Sequence, residues 1–213
     1  MVTRWLFVGI VIFVILQRLF ELRISKRNKS EILVQGGQEY SDNLLGVVKI
    51  LQISWWVAMI VEVWYFERLF TAAIAIVGLL ATIAGQVLRY LSMQALGTRW
   101  TLSIMTIPGS SLVNQGVYRY LRHPNWLGVI LEIAGLPLIH NAYLTSIVFT
   151  VANGLLISQR IMSEEEVLNK NNCYEQVFAD CPRFIPNLKT IILQLRLISL
   201  PWGQQKKNTS PKD

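Results

Sequence analysis

Hydrophobic residues in this chain occur in long runs, and polar residues gather in the segments between the runs. The clearest of these runs, LFTAAIAIVGLLATIAGQVL, covers residues 69–88 and contains no charged residue. An α-helix of about 20 residues extends about 30 Å, which is the hydrocarbon thickness of a bilayer. This pattern therefore predicts a transmembrane helix over the run.

Four further hydrophobic segments predict an all-α, polytopic membrane protein of five spans. In the first segment, Arg18 and Glu21 are three positions apart and are expected to pair with each other at the bilayer edge. A retained helix is favoured over a signal peptide there, because no small-x-small cleavage motif follows. The predicted spans are residues 5–22, 44–66, 69–88, 125–139 and 143–160.

The last two spans are expected to form a helical hairpin. Pro137 and the polar pair His140 and Asn141 mark its turn, and each arm is slightly short for a full crossing. No helix-stopping residue follows Gln159, so the second arm is predicted to continue beyond the bilayer through residues 160–170. The two open ends of this hairpin must then lie close together.

Composition supports a membrane protein of one domain. Of the 213 residues, 53% are hydrophobic and 15% charged, against roughly 25% charged residues in soluble domains. The domain is predicted to cover residues 1–200, with an interfacial helix at 188–200, and 201–213 are predicted to be a disordered basic tail. The net charge of +7 indicates cytoplasmic Lys and Arg facing anionic lipids rather than nucleic acid.

The distribution of basic residues predicts the orientation. With the amino terminus outside and the carboxyl terminus inside, all of the 20 Lys and Arg residues except Arg4 and Arg68 lie at the inner side. Three polar segments then share that side: a loop at 23–43, the connection at 89–126 and everything after Arg160. Cys173 and Cys181 match no common zinc spacing, and no metal site is predicted.

The stretch GVYRYLRHPNWLG at 116–128 is the first candidate for chemistry. Pro124 suits the first turn of a helix, whose N–H groups and positive dipole end would lie beside Arg122 and His123. Such a place suits a carboxylate or a phosphate. The alternative is an interfacial belt of side chains at headgroup depth, made of Arg119, Arg122, Tyr118, Tyr120 and Trp126.

The acidic triplet Glu164, Glu165 and Glu166 is the second candidate. Neighbouring residues on a helix are about 100° apart, so at least one carboxylate is expected to face the basic stretch. Carboxylates bind hydroxyls, amino groups and sulfonium charges, which would make the pair a site for a zwitterionic cofactor. A solvated acidic patch is the alternative.

Together these stretches resemble the isoprenylcysteine carboxyl methyltransferase superfamily, which also includes phospholipid N-methyltransferases. Trp126 stands where the family usually has Tyr, so a role for that hydroxyl is lost here. Segments such as ALGTRWTLSIMTIPG look like a bacterial branch, some of whose members are associated with type III polyketide synthases and O-methylate alkylpyrones or alkylresorcinols. The residues that carry the resemblance are Gly116, Tyr118, Arg119, Arg122, His123, Pro124, Trp126, Gly128, Arg160, Glu164, Glu165, Leu168, Tyr174 and Pro186.

The resemblance implies S-adenosylmethionine as cofactor and O-methylation of a carboxylate, enol or phenol. The lipophilic acceptor would come from the inner leaflet of a bacterial plasma membrane. Arg160, Glu164 and Glu165 are expected to be catalytic, with Arg160 steering the acceptor's anionic head. Gly128 is expected to allow close approach of the hairpin helices or of the cofactor. The expected cofactor-binding residues are Tyr118, Arg122, His123, Pro124, Trp126, Gly128 and Glu165.

Two other functions fit parts of the pattern. Sterol reductases resemble this superfamily in their cofactor region, so a membrane reductase with a nicotinamide cofactor is one alternative. A non-catalytic membrane scaffold that uses its basic face for lipid and partner contacts is the other. Transport is disfavoured, because the spans are expected to contain no mid-bilayer charge pair.

Overall fold

The computed structural model describes residues 1–41 and 44–185, and most of them are helical. Two short strands pair antiparallel, with Gln38 opposite Thr106 and Glu39 opposite Met105. The elements are α1 (Val2–Val34), β1 (Gln38–Glu39), α2 (Leu45–Tyr65), α3 (Ala72–Leu96), β2 (Met105–Thr106), α4 (Pro124–Leu138), α5 (Tyr143–Asn172) and α6 (Tyr174–Val177), with 3₁₀ turns at Gly97–Arg99 and Gly116–Arg119.

The helices confirm the all-α polytopic architecture. Within the described residues, α1, α2, α3 and α5 are long and apolar enough to cross a membrane. The fourth predicted span corresponds to α4, whose 15 residues extend about 22 Å. The hairpin turn is confirmed: α4 ends at Leu138, directly after Pro137, and Asn141 has a φ of +56°. The predicted interfacial helix at 188–200 and the tail at 201–213 lie outside the described residues.

The predicted loop at 23–43 is wrong over residues 23–34, which continue α1 as a polar helix. This extension is held from the inside by its own polar residues. The Asn28 amide donates to the carbonyl of Trp100 over 2.8 Å, and the Ser25 hydroxyl accepts from the Leu102 N–H over 2.9 Å. A search for apolar spans misses such a helix, because its buried face is made of hydrogen-bonding residues.

Helices α3 and α4 contact each other through their backbones. Gly78 and Gly85 on α3 face Gly135 and Gly128 on α4 in antiparallel order. A Cβ added to Gly85 would lie 2.6 Å from the Gly128 carbonyl oxygen, and one on Gly78 would lie 2.7 Å from the Gly135 oxygen. Small residues allow such contact in membranes, where packing drives helix association. Gly128 therefore allows close packing of α4 against α3, and not of the two hairpin helices against each other, as the sequence had suggested.

Four charged residues form a buried cluster between α1, α3 and α4. Arg18 Nη1 lies 2.6 Å from Glu21 Oε2, as the sequence predicted. Arg18 also pairs with Glu132, and Arg89 pairs with Glu21. The side chains of Arg89 and Glu132 are 4% and 1% exposed. The expectation that the spans contain no mid-bilayer charge pair did not anticipate this cluster: Arg89 and Glu132 lie within α3 and α4, and their partners are distant in sequence.

The first half of α1, the second half of α2 and the end of α4 share an apolar core. It contains Phe7, Val11 and Val14 from α1 and Leu136 and Ile133 from α4. Near this core, Glu62 of α2 accepts hydrogen bonds from the N–H groups of Leu144 and Thr145 at the start of α5. A carboxylate at that position also interacts favourably with the helix dipole. The core and this cap keep α5 beside α2 and α4.

Replacing Gly85 with Ala should destabilise the protein by about 1–3 kcal/mol, because the added methyl meets the α4 backbone, which cannot rotate away. Gly9→Ala on α1 is the matched control, since no atom lies within 4 Å of its added Cβ. The control should be neutral or gain up to about 1 kcal/mol from helix propensity. Chemical unfolding in detergent micelles measures both, and equal effects would contradict the direct backbone contact.

Replacing Glu132 with Gln should cost about 3–5 kcal/mol, because it leaves two arginines with a single carboxylate in a buried place. Glu31→Gln is the control. It removes a carboxylate from the exposed pair with Arg27 on α1 and should change stability by less than about 0.5 kcal/mol. Comparable losses in the two variants, measured by the same unfolding assay, would mean that the cluster is solvated.

Candidate functional site

A cavity of about 170 Å³ lies at the end of the bundle where α1 ends, α4 begins and α5 ends, here called the site end. The segment between α3 and α4 forms one wall, and α4, α5 and α6 form the others. Much of the lining is apolar, with a few convergent polar groups, as is usual for small-molecule sites. The polar or aromatic lining residues on the helices include Asn125, Trp126, Arg160, Glu164 and Tyr174.

The basic stretch and the acidic triplet meet at this cavity, as the sequence predicted. His123 Nε2 lies 2.9 Å from Glu165 Oε1, and Trp126 Nε1 donates to Glu164 Oε2 over 3.1 Å. Both contacts join the first residues of α4 to the last turns of α5. The opening stretch of α4 and the last turns of α5 therefore share the wall of one cavity, an arrangement that an interfacial belt alone would not require.

The three carboxylates of the acidic triplet do not all face the same side of α5. Glu164 and Glu165 face inward, whereas Glu166 is exposed and pairs with Lys170 over 2.6 Å on the outer side of α5. Of the first two, Glu164 lines the cavity. Glu165 is occupied by its neighbours, so the two adjacent carboxylates have different surroundings.

Glu165 links three segments of the chain. In addition to His123, it accepts hydrogen bonds from Arg183 Nε over 3.1 Å and from Arg183 Nη2 over 2.6 Å. The Tyr174 hydroxyl lies 3.4 Å from His123 Nε2. Burial, together with the nearby carboxylates of Glu164 and Glu165, raises the pKa of Tyr174, so this phenol is neutral over the physiological range. These contacts hold the His123 ring in one place.

Arg122 has a different environment from the one expected of an anion-binding residue. Its Nε donates to the Cys181 carbonyl over 2.5 Å, and Nη2 lies 3.5 Å from the Ala179 carbonyl. The backbone N–H groups of Arg122 and His123 donate to the carbonyls of residues 182 and 183. Arg122 lines the cavity, but its donors fix the segment 174–183, which we call the carboxyl-terminal strap.

Arg160 joins α5 to the wall between α3 and α4. It is 4% exposed, and its Nη2 donates to the Leu102 carbonyl over 2.7 Å. The guanidinium carbon lies 4.9 Å from the centre of the Trp126 ring, which is cation–π geometry. The indole thus binds Glu164 through its N–H and Arg160 through its ring. Trp126 therefore retains a polar donor although it lacks the family's hydroxyl.

The other predicted site residues are distributed unevenly. Tyr118 is buried and lines the cavity. Burial, together with the nearby Glu164 carboxylate, raises its pKa. Pro124 is fully buried as the first residue of α4, and Gly128 lies against Gly85 and Arg89 of α3, so neither lines the cavity. Arg119 is exposed, and Pro186 lies outside the described residues.

Sequence reasoning missed the wall formed by residues 99–113. Trp100, which is 2% exposed, and Thr106 of β2 both line the cavity. Asn125, between two residues that the motif includes, was also missed. The wall carries little periodicity and is held mainly through backbone groups. The sequence signal that could have found it is the segment ALGTRWTLSIMTIPG at 95–109, which was noted only for its family resemblance.

The sequence is similar to several known proteins. The model of the isoprenylcysteine carboxyl methyltransferase (ICMT) family matches residues 76–170. The uncharacterized protein YpbQ of Bacillus subtilis (strain 168) is 31% identical over 167 residues, covering 78% of this chain and 96% of that protein. A protein-S-isoprenylcysteine O-methyltransferase of Dictyostelium discoideum is 29% identical over 118 residues, 54% of this chain and 48% of that enzyme.

A solved structure of the eukaryotic intramembrane Ras methyltransferase ICMT aligns with a TM-score of 0.49 at 27% identity. The alignment covers 63% of this chain and 49% of that one. The fold and the site define a polytopic helical membrane protein with a cavity at one end of its helices, into which a few polar groups converge. The chain belongs to the ICMT family, a family of membrane methyltransferases, as its motifs suggested. It spans about half the length of the Dictyostelium enzyme.

Replacing Arg122 with Ala should loosen the carboxyl-terminal strap, because two carbonyls lose a charged donor. Cys181 in the strap reports this change, since it is 8% exposed and burial raises its pKa to about 11. In a Cys173→Ser background, labelling of Cys181 at pH 8 should accelerate at least about tenfold, since hydrogen bonds to charged groups contribute about 1.5–3 kcal/mol.

Arg119→Ala is the control for that experiment, because Arg119 is exposed and lies in the same stretch. Its labelling rate should equal that of the parent. In the parent, the rate should rise about tenfold per pH unit towards about pH 11, because only the thiolate reacts. A strap that opens equally in both variants would show that Arg122 does not hold it.

Proposed function

We propose that this protein is an S-adenosylmethionine-dependent methyltransferase that O-methylates an acidic hydroxyl or carboxylate on a lipophilic acceptor. The observation that carries the proposal is the paired contact of His123 with Glu165 and of Trp126 with Glu164. These contacts bring the two halves of the family motif to one cavity. The proposal also includes an orientation with this site at the inner face of a bacterial plasma membrane.

The residues around the cavity suit this cofactor. S-adenosylmethionine, when bound, supplies a methyl group on a positively charged sulfur. Glu164 places a carboxylate in the wall, suited to a ribose hydroxyl or an ammonium group. Asn125 Oδ1 and Thr106 Oγ1 are buried without a hydrogen-bond partner among the described residues, and both residues line the cavity. Tyr118, Tyr174 and Trp126 provide aromatic surface for the remaining ligand.

Each charged residue has a distinct role in this proposal. Glu164 binds the cofactor directly. Glu165 is a positioning residue, since its oxygens already bind His123 and Arg183. Its contact keeps the imidazole at the cavity wall. Arg160 supplies a fixed positive charge, which attracts the anionic head of the acceptor and stabilises it while the methyl group approaches.

The acceptor chemistry follows from the proton balance. A carboxylate, enol or phenol of low pKa is ionised before the reaction, so the site needs no general base. Such a site acts by positioning its reactants and excluding water. Tyr118 and Tyr174, with their raised pKa values, remain neutral hydrogen-bonding groups during this process. Alkylpyrones, which the branch resemblance suggests, carry an acidic enol of this kind, whereas the phenol of an alkylresorcinol has a pKa near that of tyrosine and would need a base to remove its proton.

A direct assay is the transfer of a labelled methyl group. The purified full chain, in nanodiscs, is incubated with methyl-labelled S-adenosylmethionine and a lipid extract of its native membranes. We expect one or more labelled lipids, whose mass identifies the acceptor and whose stability to base separates an ester from an ether. Absence of labelling, together with no binding of S-adenosylhomocysteine, would refute the proposal.

Replacing Glu164 with Gln should weaken S-adenosylhomocysteine binding or methyl transfer by about 10- to 100-fold, because a charged acceptor becomes neutral. Glu166→Gln provides the matched control two residues away, where the carboxylate faces outward and binds Lys170. The control should bind and transfer like the wild type. Isothermal titration and the labelled-transfer assay measure the two effects.

Glu165→Ala should abolish activity, because His123 loses the carboxylate that positions it and not because a direct contact with the cofactor is lost. Membrane insertion of both variants should remain normal. If Glu164→Gln and Glu166→Gln behaved alike, the assignment of Glu164 to the cofactor would be wrong.

A further inference from the structure

Two uncharged side chains in the cavity wall have polar atoms that the protein itself does not satisfy. Asn125, in the first turn of α4, and Thr106, in β2, both line the cavity. Asn125 Oδ1 and Thr106 Oγ1 are buried and have no hydrogen-bond partner in residues 1–41 and 44–185. The charged residues of the same lining do have partners within the protein: Glu164 accepts a hydrogen bond from Trp126, and Arg160 donates one to the Leu102 carbonyl.

The position of Thr106 makes its unsatisfied hydroxyl informative. The residue is 3% exposed, and its backbone is held by pairing with Gln38 of β1. Buried polar groups in native proteins nearly always have a partner, and one without a partner lowers stability. Val has nearly the same shape as Thr and would occupy this place without that cost. A hydroxyl here is therefore unfavourable for folding alone.

Thr101 shows what a satisfied threonine looks like in the same wall. It also borders the cavity, and its hydroxyl donates to the Ser103 carbonyl over 2.7 Å. This hydroxyl stabilises the local turn of the wall. The two threonines thus differ in one respect that can be tested, because one has its partner within the protein and the other does not.

We propose that Thr106 and Asn125 bind an uncharged hydroxyl or amino group of the ligand and select ligands that carry one. Both side chains are neutral, and a buried ion would need an opposite charge beside it, so the recognised group is neutral. The inference rests on the methyltransferase function proposed above. Such a group occurs on the nucleoside of the cofactor and on a phenolic or pyrone acceptor, and the experiment separates these sources.

The test compares Thr106→Val, Asn125→Leu and Thr101→Val in the full chain. Affinity for S-adenosylhomocysteine and methyl transfer to the membrane lipid extract are measured together with the unfolding temperature of the ligand-free protein. Thr106→Val should unfold at the same or a higher temperature than wild type, yet lose about tenfold or more either in S-adenosylhomocysteine affinity or in methyl transfer. Asn125→Leu should lose binding to a similar extent.

The pattern of loss identifies the source of the group. Weaker S-adenosylhomocysteine binding assigns it to the cofactor. Unchanged S-adenosylhomocysteine binding, with transfer that requires at least about ten times more extract, assigns it to the acceptor. Thr101→Val should lower the unfolding temperature, because its hydroxyl has its partner within the protein.

Two results would overturn the inference while the proposed function stands. In one, Thr106→Val and Asn125→Leu bind S-adenosylhomocysteine and transfer the methyl group like wild type. In the other, Thr106→Val lowers the unfolding temperature as Thr101→Val does, which would make its hydroxyl structural. A wild-type protein that neither binds S-adenosylhomocysteine nor methylates the extract would instead overturn the proposed function, and this inference with it.

Discussion

The direct backbone contact between α3 and α4 is the constraint on which the rest of the site depends. With 15 residues, α4 is too short to be positioned by both membrane interfaces, so its neighbours must set its depth. The pairs Gly85–Gly128 and Gly78–Gly135 do this, since any larger side chain would separate the backbones. Gly128 is only four residues from Pro124. The glycine contact therefore also fixes the height at which His123 and Trp126 meet α5.

The buried charge cluster makes that arrangement specific. Glu132 of α4 contacts Arg18 of α1 and approaches Arg89 of α3, and the Arg89 stem lies against Gly128. Van der Waals packing of small residues tolerates sliding, whereas a misplaced charge in the membrane is costly. The two interactions thus have separate roles. The glycines set the distance between α3 and α4, and the charges set the register of all three helices.

The sequence predicted the meeting of the two motif halves because a hairpin leaves no other place for them. It also predicted that at least one acid would face inward, but a 100° step cannot tell which ones do. The roles of Arg122 and Gly128 were less predictable. Arg122 binds backbone carbonyls of the strap, which have no side-chain signature, and Gly128 faces a helix far away in sequence. Trp126 stands where the family usually has Tyr, and its indole supplies an N–H donor in place of the hydroxyl. Only the contact with Glu164 reveals this role.

Hydrogen bonds of Glu165 connect the carboxyl-terminal strap to the wall of the cavity. Glu165 binds Arg183 of the strap and His123 of the cavity wall at the same time, so movement of the strap changes the surroundings of the imidazole. Arg122 strengthens this connection by donating a hydrogen bond to the Cys181 carbonyl of the strap. A ligand large enough to need the strap displaced would therefore disturb the His123–Glu165 contact on binding, and the contact would re-form when the strap returns. The position of the strap and the placement of His123 are therefore linked, because the same carboxylate binds both.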